Sequence, residues 1–261
     1  MQVLLGVFWV AAVICGVFML MAVLQSAEQF VISDSRFILE GPRQPDAPSP
    51  NFRLEGLSYT SELQVTSVFA RDFGRSLYLC PIAERRRQLL AIDWVKDASI
   101  LRIWPDTLAV RITERVPVAF VQTPGRRGLR EHALIDEEGV LLNPLRAVNL
   151  RLPVLTGISR SEPEERRRRR VGAFLRLRKE VGPLMDKISE VDLTDLDNLQ
   201  VTHAFDGRAT VLMLGNKDFK RRLESFLENQ AEIRRRLPEA RTLDMRISNR
   251  IIAVENSDNG Q

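Results

Sequence analysis

The chain has 261 residues, with 38 lysines and arginines against 34 aspartates and glutamates, a net charge of +4 and two cysteines. That length accommodates two ordinary domains. Cys15 falls inside an apolar run and Cys80 stands alone, which excludes a disulfide framework and a cysteine-based metal site.

Val3 to Leu24 is a run of 22 residues without a charged side chain, and the first charge beyond it is Glu28. At about 1.5 Å per residue this run spans a hydrocarbon core of about 30 Å. A cleavable signal peptide would have a shorter apolar region behind a basic start, with small residues at a cleavage site, and that pattern is missing. A single uncleaved transmembrane helix is therefore expected. Its flanks offer only the α-amino group of Met1 on one side and Arg36 and Arg43 on the other, a charge count that taken alone opposes export of the bulk.

GPRQPDAPSP, residues 41–50, holds four prolines and reads as a semi-rigid spacer. FILEG at 37–41 is echoed by FRLEG at 52–56, and the second is taken as the first strand of a folded domain. Thr60 or Ser61 then caps a helix carrying Leu63, Val68 and Phe69, and Pro81 opens another carrying Ile82, Leu89 and Leu90. From Trp94 to Phe120 the pattern alternates and turns once at Pro105–Asp106. Leu108, Val110 and Ile112 share one face, and Ala109, Arg111 and Thr113 the other. The expected unit is strand, helix, helix, strand, strand, with both helices on one face of a three-stranded sheet.

Beyond Val118 come short strands: VAFVQ, HALIDEEGVLL with a turn at Glu138–Gly139, and LPVLTG. Pro163 opens a helix with Val171, Phe174, Leu175, Val181, Leu184 and Met185 at helical spacing. A second helix carries Phe219, Leu223, Phe226, Leu227 and Ile233. Between them, VTHAF and ATVLML flank Asp206–Gly207, a hairpin signal. LDMRISNRIIAVE closes the fold, with a turn or bulge at Ser248–Asn249. The expected division is 1–27 for the membrane helix with a minimal cytoplasmic segment, 28–51 for a proline-rich linker, 52–120 and 121–255 for two domains, and 256–261 for a disordered tail.

Catalytic constellations are scarce. His132 and His203 are isolated, with no H-E-x-x-H pattern, and no G-x-S-x-G elbow, Walker loop or dinucleotide-binding glycine motif occurs. Ser257-Asp258-Asn259 lacks the S-x-x-K and K-T-G that would make it part of a penicillin-binding site. Asp192, Asp195 and Asp197 read as turn residues. The pI of about 9.4 comes largely from arginine clusters at 85–87, 166–170 and 234–236, read as solvated helix faces. Interleaved glutamates and the lack of a nucleic-acid-binding motif exclude that class of partner. No cofactor, metal or catalytic residue is assigned, and an enzyme is not expected.

AIDWVKDASILRIWPDTLAVRITERVPVAF resembles the end of the POTRA domain of the FtsQ/DivIB family of bacterial cell-division proteins, in its WVKDA, the W-P-x-x-L of Trp104 to Leu108 and the E-R-x-P-V-A of Glu114 to Ala119. LIDEEGVLL, LPVLTG and LDMRISNRIIA are similar to landmarks of that family's β domain. The resemblance implies an α+β fold: one transmembrane helix, a POTRA domain (β-α-α-β-β), then a mixed β domain with two helices. It implies a single-pass inner-membrane protein with its bulk in the periplasm, at the division septum. The implied role is a non-catalytic scaffold linking early and late division proteins, with FtsB and FtsL among its partners beside the lipid bilayer. The resemblance outweighs the charge count in setting orientation. Alternatives are a membrane-anchored cell-wall hydrolase or transferase, and a POTRA-type chaperone or assembly module.

A last strand has one neighbour guaranteed by chain order, so its outer edge is the expected docking site. The residues expected to bind a partner there are Met245, Arg246, Ile247, Ser248, Ile251, Ile252 and Val254, with Arg246 offering charge to an acidic partner.

Overall fold

The computed structural model describes residues 2–42, 49–124, 130–144, 150–205, 207–247 and 250–254. The chain folds as two units, residues 1–115 and 116–261.

Helix α1 (Gln2–Ser33) contains both expected ends of the span, Val3 and Leu24, and continues nine residues past Leu24. At about 1.5 Å per residue it is about 48 Å long, more than a hydrocarbon core requires. From Ile14 to Ser33 it is long and apolar enough to cross a membrane, and it is exposed except for half-buried Val31 and Ile32 at its end. The chain then makes a 3-10 turn at Ser35–Phe37, capped by the Asp34 side chain, which accepts from the Arg36 N–H.

The first unit follows the expected order: β1 (Phe52–Glu55), α2 (Glu62–Ser67), α3 (Ile82–Leu90), β2 (Val95–Ile103) and β3 (Thr107–Glu114). Its sheet order is β1-β3-β2, with β1 parallel and β2 antiparallel to β3. Leu108, Val110 and Ile112 point inward as the alternation requires, and meet Val65, Phe69, Leu77 and Leu89 in one core. The turn after β1 needs glycine: Gly56 has φ +88°, and a Cβ there would lie 2.0 Å from the Ile112 carbonyl oxygen. After Leu57, three successive residues, Ser58, Tyr59 and Thr60, donate their N–H groups to the Glu114 carboxylate at 2.6–2.9 Å. At the far end of β2 the Trp104–Pro105 peptide is cis.

Several expectations for this unit are corrected. Leu63, expected on the buried side of α2, is exposed, and Val65 is the residue that side buries, because α2 is under two turns long. Arg85 is not on a solvated face: it is buried in a two-pronged ion pair with Asp72, at 2.6 and 3.1 Å. The expected spacer 28–51 is partly structured. Ile38 bridges to Ser76, Leu39 is fully buried, and Asn51 clips the segment by accepting from Glu40 N–H and donating to the Ile38 carbonyl. Its prolines from 43 to 48 lie outside the described residues. Proline content dominated the reading of this stretch, whereas Phe37, Ile38 and Leu39 just before it carried apolar surface that the core could take.

The second unit is a nine-stranded sheet in the order β12-β11-β10-β9-β8-β7-β4-β5-β6. Its strands are β4 (Pro117–Pro124), β5 (Arg130–Asp136), β6 (Leu141–Leu142), β7 (Val154–Thr156), β8 (Ile188–Asp192), β9 (Leu199–Phe205), β10 (Arg208–Gly215), β11 (Thr242–Asp244) and β12 (Ile252–Val254). The expected boundary at residue 120 falls within β4, which pairs with β5 and β7 and so belongs wholly to this unit. Helix α4 (Glu164–Val181) buries Val171, Phe174, Leu177 and Val181. The expected second helix is two, α5 (Phe219–Glu228) and α6 (Gln230–Arg236), separated at Asn229. His203 is buried, its Nδ1 2.6 Å from the Lys187 carbonyl and its ring edge-on to Phe226, which accounts for it structurally. Arg167 and Arg170 of the long arginine run are not simply solvated: they donate to the Gly139 carbonyl at 2.8 Å and to the Leu193 carbonyl. Asp206 and the tail from 255 lie outside the described residues.

Candidate functional site

The closing segment is a hairpin rather than one strand. β11 lies parallel to β10, and β12 folds back antiparallel on β11 with Thr242 opposite Val254, Leu243 opposite Ala253 and Asp244 opposite Ile252. The direction of its backbone groups follows from two hydrogen bonds. Val211 N–H donates to the Arg241 carbonyl at 2.9 Å and Met245 N–H to the Met213 carbonyl at 3.1 Å. Odd-numbered residues of β11 therefore face β10, and Thr242 and Asp244 face β12. Ile252 and Val254 return those bonds, which leaves Ala253 with its N–H and C=O on the side of β12 away from β11, where no strand pairs with it among the described residues.

The structure sorts the expected docking residues. Met245 is withdrawn from the set: it is 4 % exposed and part of the core. Arg246 is already engaged, gripping Asp244 through Nε at 2.9 Å and Nη2 at 2.6 Å, so its charge is not a free offer to an acidic partner. Ile251 packs partly against the core. Ile247, Ile252 and Val254 are exposed, the last two on the same side of β12. Ser248 lies outside the described residues.

Sequence reading missed Arg222. It projects from α5, is 9 % exposed, and donates through Nη1 to the Leu214 carbonyl and through Nη2 to the Arg246 carbonyl at 3.0 Å. Gly215, with φ +69°, makes the room: a Cβ there would lie 2.8 Å from Nη1. The available signal was an arginine one position from Leu223 in the apolar stripe of α5.

The hydrogen bond from Arg246 holds the Asp244 carboxyl below its ordinary value of 3.8, with burial opposing it. Because the folded value is depressed, this pair stabilises the hairpin above the unfolded pKa, and the contribution is lost as pH falls through the folded one. Hydrogen exchange at Ile252 and Val254, whose N–H groups face β11, should therefore accelerate relative to the core strands in acid below about pH 4. Asp244→Asn should abolish that extra acid sensitivity while weakening protection at neutral pH. Identical acid profiles in both proteins would show that the pair does not hold the hairpin.

Two other sheet edges, β6 and β2, are less available. β6 has two residues. β2 is longer, but Arg86 donates to the Ala98 carbonyl at 2.8 Å and to Asp97 at 2.6 Å, occupying its middle. Among the described residues, no group of three or more His, Cys, Asp or Glu side chains could hold a metal ion.

Comparison with known proteins fits this architecture. The model of the FtsQ-type POTRA domain matches residues 48–115, and that of the cell division protein FtsQ/DivIB C-terminal domain matches residues 125–246. The chain belongs to the FtsQ/DivIB family. Relatives named cell division protein FtsQ include that of Koribacter versatilis, 31 % identical over 78 % of this chain and 59 % of its own length. Those of Nitrosospira multiformis and Novosphingobium aromaticivorans are 26 % and 28 % identical, over 66 % and 54 % of this chain and 65 % and 39 % of their own. The chain thus spans less than two thirds of the length of these curated relatives. The C-terminal match ends at 246, so β12, with Ile252 and Val254, lies beyond the segment that defines this FtsQ/DivIB domain.

Proposed function

We propose that this FtsQ/DivIB protein is a non-catalytic scaffold of the bacterial division complex, anchored in the inner membrane by α1 with its bulk in the periplasm. It acts at the septum, linking early and late division proteins and helping to control septal peptidoglycan synthesis through protein contacts. The observation that carries this reading is the open edge at β12, where Ala253 presents backbone groups between exposed Ile252 and Val254. A strand from an FtsB-like partner, accompanied by FtsL, adds there.

The edge is short, which shapes the energetics. Ile251 and Ala253 are the described positions that can exchange bonds with an added strand, and net bonds of about 1 kcal/mol leave most of a micromolar affinity of about 8 kcal/mol to side-chain burial. Ile247, Ile252 and Val254 supply that surface at about 25 cal/mol per Å².

Ala253→Pro removes the outward donor without touching the bonds to β11. Capture of an FtsB-like partner by the full chain should fall at least about tenfold, the equivalent of about 1.4 kcal/mol, with circular dichroism unchanged. Proline at Ile252 or Val254 would disturb the native pairing as well. Wild-type capture by a folded Ala253→Pro chain would place the docking edge elsewhere. A functional fluorescent fusion spread evenly around dividing cells would overturn the septal role.

A further inference from the structure

The tip of the β2–β3 hairpin and the end of α1 form one apolar surface that the division reading leaves unused. Phe30, in the last turns of α1, meets Phe37 edge-on at 6.0 Å, and Phe37 meets Trp104 at the hairpin turn edge-on at 5.7 Å. Ser76 Oγ donates to the Val31 carbonyl at 2.8 Å, pinning the helix end to the domain. Ser76 begins a 3-10 turn that presents Tyr78 and Leu79 to solvent, and Arg102 of β2 donates to the Cys80 carbonyl behind it. On the other face of the tip, Leu101 and Ile103 are exposed; Leu101 is 61 % and Trp104 52 % accessible.

We infer that this tip is a membrane-surface foot: Trp104, Leu101, Ile103, Tyr78 and Leu79 rest in the headgroup layer of the bilayer that α1 crosses, fixing the first unit against the membrane. The inference rests on the reading of α1 as a membrane span. Continuity with the span argues for lipid as the occupant, because the surface begins on α1 itself. Phe30 stands six residues past Leu24, about 9 Å along the helix, close to the outer limit of a headgroup layer about 5–8 Å thick, and the usual helix tilt of about 20° lowers it further. Trp and Tyr with aliphatic neighbours are the side chains that settle at that level. Arg36 stacks over Phe30 at 5.4 Å with its charge held by Asp34, so it is the apolar and aromatic side chains that suit this surface to lipid. An exposed apolar patch of this kind requires a cover, and here the nearest apolar phase is the one the helix enters.

The test uses the full chain with Cys15→Ser, reconstituted in phosphatidylethanolamine–phosphatidylglycerol vesicles and labelled with a polarity-sensitive fluorophore at single cysteines. Cys80 does not compete, since burial first and then Asp72 push its thiol up to about 11. Three sites suffice: Leu101→Cys at the foot, Thr113→Cys on the same sheet face four residues beyond Ala109, the position opposite Leu101, and so about 13 Å away, and Phe18→Cys within α1. Lipids carrying a nitroxide near the headgroup should quench the label at 101 at least about threefold more than that at 113, with a blue-shifted emission only at 101. Phe18 quenched by acyl-chain nitroxides while 101 behaves like 113 would overturn the foot and keep the anchor. Energy transfer between differently labelled chains at 101, without lipid quenching, would assign the patch to a second copy instead. An unquenched label at 18 would remove the anchor and the foot with it.

Discussion

Asp72→Ala will destabilise the first unit by about 3–5 kcal/mol, because it removes the buried carboxylate that pairs with Arg85 and leaves only the exposed Glu84, at 3.7 Å, within ion-pair reach. Both partners are inaccessible, with side-chain exposures of 9 % for Arg85 and 5 % for Asp72, so solvent cannot take over the lost contact. All three tryptophans, Trp9, Trp94 and Trp104, lie in this unit, and Trp94 is buried against Tyr59. Tryptophan fluorescence in urea therefore reads the first unit alone, and its midpoint should drop while hydrogen exchange in β8 to β10 stays unchanged. Replacing both partners, Asp72→Leu with Arg85→Leu, should recover much of the loss, since the penalty arises from the orphaned charge rather than from the missing pair. An Asp72→Ala midpoint within experimental error of wild type would mean that Arg85 finds water or another acceptor.

Arg222→Met will cost about 3 kcal/mol and loosen the docking hairpin, since it keeps the aliphatic stem but strips donors from two carbonyls, Leu214 and Arg246. The Arg222 side chain ties the end of β10 to the loop between β11 and β12, so amide exchange from Met245 to Val254 should rise more than in the rest of the second unit. Arg222→Lys should fall between, because an ammonium cannot reach both carbonyls with the geometry of a guanidinium fork. Capture of an FtsB-like partner should weaken in the same order. Equal hairpin exchange in wild type and Arg222→Met would remove Arg222 from any positioning role.

The two variants also mark where sequence patterns stop being informative. Arg85 and Arg222 each sit in a helix beside residues of ordinary amphipathic spacing, and a charged side chain in such a position reads as solvated. Their burial depends on acceptors distant in the chain: an aspartate 13 residues before Arg85, and carbonyls eight residues before and 24 after Arg222. No local period announces such partners. Likewise Leu39 enters the first core only because Arg75 and Gly74 offer a carbonyl and an N–H to its backbone.

What the sequence determined by itself is what local periodicity and composition encode. The charge-free run from Val3 fixes an apolar helix, the alternation of Leu108, Val110 and Ile112 fixes one buried sheet face, and the WPDTL turn with ERVPVA carries the family resemblance. These depend on neighbours within a few residues, so they survive without a structure. The tertiary structure alone decided which residues of the closing segment are free. Met245 and Ile252 look alike in sequence, yet the parallel addition of β11 beside β10 buries the first, and the return of β12 leaves the second at the rim. Strand order is set by contacts between segments far apart in the chain, and with it the outward-facing backbone groups of Ala253, on which docking at this edge turns.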